Sequence, residues 1–312
     1  MNGVNYTPKQ VLVVGGASLN TIIHLKNPSN PEHLCDLGLR DWYFEPGGTG
    51  LGKAANLSLL GFNTTLHAIL GKDEAGEKLH KELLELDIKL VIEHSLNKTE
   101  QHTNVMLPDG NRISVFISPP DHPEDFKPQS LDTAIAKSDI LVPSILPYVK
   151  PVLPLMKASS LPIWVDLHDY DGCDVYYQDF IDCAHVLLVS SEKLPQFKHF
   201  MQSMIDKGKE LVICTFGDRG SLALDSRGDW HECGVVANTP LIDTNGAGDA
   251  YFSGFLYAYS QNLEPRICMR YGSCAASACV QSRKLFHPDL SVSHIKSTIE
   301  NETFHPFRPS IP

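Results

Sequence analysis

"LIDTNGAGDAYFSGF", residues 241–255, sets three small residues between two aspartates and then runs into an apolar stretch. "PLID" reads as the end of a strand, and "AYFSGFLYAYSQ" as a buried helix with a packing face of Ala, Gly and Ser. Gly246, Ala247 and Gly248 therefore fall at a helix N-terminus, where the first N–H groups lack partners and the macrodipole favours negative charge. Small residues let a phosphate approach those donors closely. Asp249, in the first turn, then stands beside the anion, where a carboxylate is a sensible proton acceptor for an incoming hydroxyl. On these residues alone the alternative is an N-terminal cap with convenient glycines, because short motifs recur by chance.

The rest of the chain bounds what this site can serve. At 312 residues it can bury a large core, and 42% hydrophobic with 20% charged residues is ordinary for a water-soluble globular protein. A formal charge of −11 argues against a broad nucleic-acid or anionic-membrane surface, which wants clustered Lys and Arg. No apolar run is long enough for a membrane span, and "MNGVNYTPKQ" lacks the basic start and apolar core of a signal peptide. The eight cysteines form no C-x-x-C pair and several lie in apolar segments, the pattern of reduced thiols in a cytoplasmic protein. No His spacing resembles a metal-ligand motif.

Strand and helix patterns alternate along most of the chain. "QVLVVGG" (10–16) reads as a buried first strand, and "GKAANLSLLG" (52–61) as a helix capped by Gly61. "NTTLHAIL" is a strand, and "KDEAGEKLHKELLELDI" an amphipathic helix with Asp73 at its start and Leu79, Leu83, Leu84 and Leu86 toward the core. "TNVMLPDGNRISVF" reads as a hairpin turning at Asp109-Gly110-Asn111, with "RDWYFEPGG" as a further strand of the same small sheet. After residue 130, "DILVPS", "LPIWVDL", "HVLLVSS" and "ELVICTF" alternate with helices, which predicts a mostly parallel sheet covered on both faces. The Pro-rich end, "FHPFRPSIP", reads as extended surface chain.

"DTNGAGDAYFSGF" resembles the C-terminal signature of the ribokinase-like, or phosphofructokinase-B (PfkB), family of carbohydrate kinases, D-T-x-G-A-G-D followed by a small or aromatic residue. "PGGTGLGKAANLSLLG" (46–61) resembles its N-terminal signature, and "CTFGDRGSLAL" (214–224) its T-x-G-x-x-G turn near the nucleotide. The likeness runs from about residue 10 to 282. It implies one α/β domain over 1–312: a three-layer α/β/α fold with a mostly parallel central sheet and a small β-sheet lid, its strands inserted at about 21–46 and 100–118. It also implies Asp249 as catalytic base, an anion hole from the N–H groups of Gly246, Ala247 and Gly248, and nucleotide contacts from Thr215, Gly217, Gly220 and Thr244. ATP and Mg²⁺ follow as reactants, and a homodimer through the exposed edges of the lid is expected.

Several positions depart from the family pattern. The sugar-binding Asp after the first strand is matched by Asn20, which keeps hydrogen bonding to a polyol but loses the charge. The G-G-x-G-x-N motif, with Gly47 and Gly48 at its head, ends in Gly52; Lys53 after it could meet an acidic group on the substrate or be a solvated helix lysine. The N-x-x-E motif that organises magnesium is replaced by Ser190-Ser191-Glu192-Lys193, leaving Glu192 as a shifted candidate acting through water. Asp243 either lines a monovalent-cation site, with K⁺ the candidate ion, or braces the loop; Asp166, His168 and Asp169 end a parallel strand on the side where α/β sites form. The expected activity is ATP-dependent phosphorylation of a hydroxyl on a sugar-like small molecule held by Asn20, Gly47, Gly48, Gly52 and Lys53. The rivals are a nucleoside kinase, suggested by Trp42, Tyr43 and Phe44, and a non-catalytic regulator with the same fold.

Overall fold

Every residue from Val11 to Val14 is buried, yet the four divide between two cores: Val11 and Val13 pack into one, Leu12 and Val14 into the other. Alternate side chains of a strand point to opposite faces, so a strand apolar on both must lie between two helical layers. Val186 and Leu188 against Leu187 and Val189, and Leu211 and Ile213 against Val212 and Cys214, repeat the division. The computed structural model describes residues 8–25, 39–95, 97–107, 112–118 and 126–309.

In chain order the elements are β1 (Gln10–Val14), β2 (Ser18–Leu25), β3 (Leu39–Gly47), α1 (Thr49–Leu59), β4 (Asn63–Gly71), α2 (Glu74–Leu84), β5 (Lys89–Ser95), β6 (Gln101–Met106) and β7 (Arg112–Ser118). Then come α3 (Asp132–Ala136), β8 (Ile140–Pro143), α4 (Leu153–Ala158), β9 (Trp164–Asp166), α5 (Gln178–Cys183), β10 (Val186–Ser190), α6 (Phe197–Asp206), β11 (Leu211–Thr215), β12 (Ser221–Asp225) and β13 (Trp230–Cys233). The chain closes with α7 (Ala247–Ser260), α8 (Pro265–Cys279) and α9 (Val292–Asn301).

The sheet β5-β4-β1-β8 meets β9-β10-β11-β12-β13 through a parallel bridge between Leu141 and Ile163, with Leu141 N–H donating to Pro162 O at 2.9 Å. The pairs from β5 through β11 are parallel, and β12 and β13 add an antiparallel margin. α1, α2, α7, α8 and α9 cover one face and α3 to α6 the other, giving a ribokinase-like α/β/α sandwich. A second, four-stranded sheet, β3-β2-β6-β7, forms the lid.

Local chemistry accounts for the element ends. Asp73 caps α2 by accepting from Gly76 N–H at 2.9 Å, and Gly61 at φ +90° lets Phe62 N–H close α1 onto Leu57 O. Leu79 and Leu83, one turn apart, are buried, each worth about 1.5–3 kcal/mol. Leu84, expected toward the core, is 65% exposed, since a fifth residue falls off the face that i and i+4 share. "PLID" is not a strand end: Ile242 and Asp243 N–H both donate to Val280 O, pinning an irregular connection to the end of α8. The hairpin turn at Asp109-Gly110-Asn111 lies outside the described residues. The tail from Phe304 runs extended, with His305 N–H donating to Val235 O and Arg308 N–H to Arg219 O.

Candidate active site

The carboxyl ends of the parallel strands carry the chemistry. From β1 the chain winds outward through β4 and β5, and later in the opposite direction through β8 to β11, so the topological switch point, where α/β sheets place their ligands, falls between β1 and β8. Gly15 and Gly16 leave β1 there, Ser144 leaves β8, and Asp166 ends β9.

Helix α7 points its N-terminus toward this end of the sheet. Gly246 is the N-cap at φ +80°, a conformation that suits glycine, and no side chain of the described residues caps the helix. A Cβ on Gly246 would also lie 2.9 Å from the Leu285 backbone. Gly248 is different: it is exposed, and a Cβ there would meet nothing within 4 Å among the described residues. Neither packing nor backbone conformation requires glycine at 248. Ala247 N–H reaches Thr244 O at 3.3 Å, and Thr244 itself is exposed beside the helix start. Asp243 is buried, with Oδ1 accepting from Asn245 N–H at 2.8 Å, so it does shape the loop before the glycines.

Asp249 is buried in the first turn, and Lys53 reaches it from α1: Nζ lies 2.5 Å from Asp249 Oδ1 and 3.1 Å from Asp166 Oδ2. Lys53 is 1% exposed, which excludes the solvated helix lysine among its expected roles. Asp166 in turn accepts from His168 N–H at 3.0 Å, with His168 Nδ1 at 3.5 Å. Burial pulls the Lys53 ammonium down, but the charges of Asp249 and Asp166 together outweigh it and hold Lys53 above its usual value. Burial pushes Asp166 up, yet His168 and Lys53 bring it below the ordinary carboxylate range. Asp249 stays above that range: burial raises it more than Lys53 and His168 lower it. Of the two carboxyls, Asp249 is the one better suited to take up a proton.

The N-terminal signature packs at the same end of the sheet. Asn20, buried on β2, stands opposite Glu45 and accepts from Ser18 Oγ at 2.8 Å; a Cβ on Gly47 would collide with its amide. Gly48 is at φ +96°, where a Cβ would sit 2.6 Å from Gly16 O. A Cβ on Gly52 would sit 2.5 Å from Asp249 Oδ2. The structure thus joins Asn20 to Gly47, Gly48 to the end of β1, and Gly52 and Lys53 to Asp249.

The remaining candidates gather at the β10 and β11 ends. Thr215 O accepts from Ser191 N–H, and Glu192 is exposed on the turn that follows, its N–H donating to Ser190 Oγ at 3.2 Å. Gly217 and Gly220, at φ +58° and +103°, shape the turn into β12. No three His, Cys, Asp or Glu groups that could hold a metal ion cluster among the described residues, so Glu192 and Asp243 form no ready-made cage.

Sequence patterns do not reveal a second polar cluster beside Gly16. Glu100 is buried with Oε1 2.8 Å from His102 Nε2, and the buried hydroxyls of Ser144 and Tyr148 have no hydrogen-bond partner among the described residues. Its one local signal is Glu100, just before β6, two residues from His102 within the strand.

A model of the pfkB family of carbohydrate kinases matches residues 9–158 and 167–289. The acarbose 7(IV)-phosphotransferase of Actinoplanes sp. is 30% identical over 281 residues, 86% of this chain and 91% of that protein. The fructoselysine 6-kinase of Shigella flexneri is 24% identical over 242 residues, 75% of this chain and 89% of its own. Among solved structures, the microbiome-derived acarbose kinase Mak1 superposes with a TM-score of 0.83 at 24% identity, covering 95% of this chain and 100% of that one.

Proposed function

The chain belongs to the pfkB family of carbohydrate kinases, a family of phosphotransferases with alcohol acceptors, and from that membership we propose that it transfers the γ-phosphoryl group of ATP to a hydroxyl of a polyol or sugar. Asp249 is the general base and the N-terminus of α7 the anion hole. The observation that carries this reading is the pairing of a buried carboxyl in the first turn of α7 with a bare Gly248 that no packing demands.

The acceptor hydroxyl gives its proton to Asp249, and its oxygen attacks the γ-phosphorus in line as the bond to the β-phosphate oxygen breaks and ADP leaves. The N–H groups of Gly246, Ala247 and Gly248 stabilise the equatorial oxygens as charge spreads over them. Thr215, Gly217, Gly220 and Thr244 contact the nucleotide. Magnesium bound with the ATP phosphates would neutralise their charge, with Glu192 through water the residue that could hold it, and Asp243 could serve a monovalent cation such as K⁺.

The polyol lies over Gly47 and Gly48 with Asn20 on one side. Ser144, Tyr148 and the Glu100–His102 pair supply hydroxyl, carboxylate and imidazole groups that suit a hydroxyl-rich ligand. Trp42 and Phe44 are 52% and 48% exposed on one face of the lid, while Tyr43 between them turns to the other face and stacks on His24 with Arg283 over its ring. Of the three, only Tyr43 lies on the same face as Asn20, where it could meet a nucleoside base. Trp42 and Phe44, with Ile113, Val115 and Ile117 exposed on the same face, give the lid an apolar surface on which a second copy of the chain would pair. A monomeric mass by light scattering at micromolar protein would count against that dimer.

ADP release across D-ribose, D-fructose, acarbose, fructoselysine and adenosine tests the activity. Turnover of at least one polyol is expected. ATP binding without turnover of any would mark a non-catalytic binding protein instead.

A further inference from the structure

Helices α1 and α7 meet along a seam whose buried groups do more than pack. Ser253 Oγ donates to Asp249 O at 2.8 Å and also lies 3.3 Å from Lys53 O, while Asn56 Nδ2 donates to Gly52 O at 2.8 Å and to Leu285 O at 2.9 Å. The backbone that carries Gly52 and Lys53 is thereby fixed against the start of α7. We propose that Gly52 and Lys53 work as a matched pair: Lys53 holds Oδ1 of Asp249, and the missing side chain at 52 leaves Oδ2 as the single oxygen offered to the acceptor hydroxyl. Lys53 is then a positioning residue for phosphoryl transfer and not a contact for an acidic substrate. The inference rests on Asp249 being the base.

Three observations support it. The Lys53 ammonium is already engaged by Asp249 Oδ1 and Asp166 Oδ2 and lies 5.3 Å above the Phe252 ring, so it could reach a substrate acid only by leaving two carboxylates. Stability alone does not account for such a group, because well-packed apolar residues often do as well as a buried ion pair. Gly52 sits within α1, where glycine costs about 1 kcal/mol relative to alanine. What it supplies is room, since a methyl there would lie 2.5 Å from Oδ2. The Asp166–His168 contact anchors the far side of the ammonium, so the lysine cannot follow Asp249 if that carboxyl moves.

The charged and titratable groups facing Asp249 are Lys53 from α1, Asp166 and His168 from the end of β9, and the Cys279 thiol of α8, which burial and the Asp249 and Asp243 charges push up to about 12. Of these, Lys53 alone is a cation in direct contact with Asp249.

The test combines carboxyl ¹³C NMR titration of Asp249 with kinetics on the first compound of the panel above that is turned over. Lys53→Met is expected to raise the Asp249 midpoint by about one pH unit or more. It should lower kcat about 100-fold while KM for the acceptor changes by less than about threefold. Gly52→Ala, which keeps the lysine, should lower kcat without moving KM for ATP. An unmoved midpoint in Lys53→Met overturns the inference even if no acceptor is found. So does an effect confined to KM. Full turnover by Asp249→Asn would instead remove the base on which the inference rests, which separates the two failures.

Discussion

Replacing Gly248 with alanine should separate catalysis from folding in a single substitution. The added Cβ would meet nothing within 4 Å among the described residues, and Gly248 has no positive φ that glycine alone could hold. Gly→Ala at such a helical position stabilises by about 0.4–1 kcal/mol, chiefly through the unfolded chain. With unfolding entropy of about 2.1 cal/mol/K per residue over 312 residues, or about 0.65 kcal/mol/K, Tm should rise by roughly 1 °C. Activity should move the other way. A phosphoryl oxygen must come within about 2.7–3.1 Å of the N–H groups at the start of α7, and a methyl beside Gly248 N–H occupies that approach. Loss of one such donor lowers kcat about 10²–10³-fold. Thermal unfolding and ADP release on the same preparation read both quantities. A Gly248→Ala protein with undiminished kcat would refute the anion hole at this helix end. Gly246→Ala is the contrasting case, because φ +80° and the nearby Leu285 backbone make it a folding defect first.

Two further predictions concern pH. Asp225 is held down at about 2: burial would raise it, but hydrogen bonds from Arg227, His231 and the Asp229 and Arg227 N–H groups prevail. A depressed carboxylate stabilises above its unfolded value and loses that contribution as pH falls through the folded one. Asp225→Asn should therefore cost about 1–2 kcal/mol at pH 7, after allowing for solvent screening, and the difference from wild type should vanish by about pH 2 in denaturant titrations. Glu45 on β3 is raised to about 7, mainly by burial, with Lys284 lowering it and Glu82 raising it. Its penalty grows as pH rises from the unfolded value through about 7, so Glu45→Gln should unfold at a higher temperature than wild type at pH 8. The two should coincide below the ordinary carboxylate range, and a Glu45→Gln protein less stable at pH 8 would contradict the assignment.

Much of the architecture was legible because it rests on local signals. The apolar runs of β1, β8, β9, β10 and β11, the Asp73 cap and the Gly61 helix end each declare themselves within a few residues. β5 did not: it is an edge strand with mostly half-buried side chains, so its pattern is weak. Within the candidate site, Gly246 to Asp249 could be picked out together because they are contiguous. The partnership of Lys53 with Asp249 could not, since the two are 196 residues apart and a lysine next to a glycine looks solvated until α1 is laid against α7. The Ser144 and Tyr148 hydroxyls, without partners among the described residues, were hidden for the same reason: what stands beside them depends on what β1 and the lid bring near.

The most direct test of the central claim is the turnover of Asp249→Asn. Asparagine keeps the shape of the side chain and removes its capacity to take a proton, so kcat should fall by about 10²–10⁴-fold while ATP binding by calorimetry persists. Wild-type kcat in Asp249→Asn, on an acceptor the unaltered protein phosphorylates, would contradict the account.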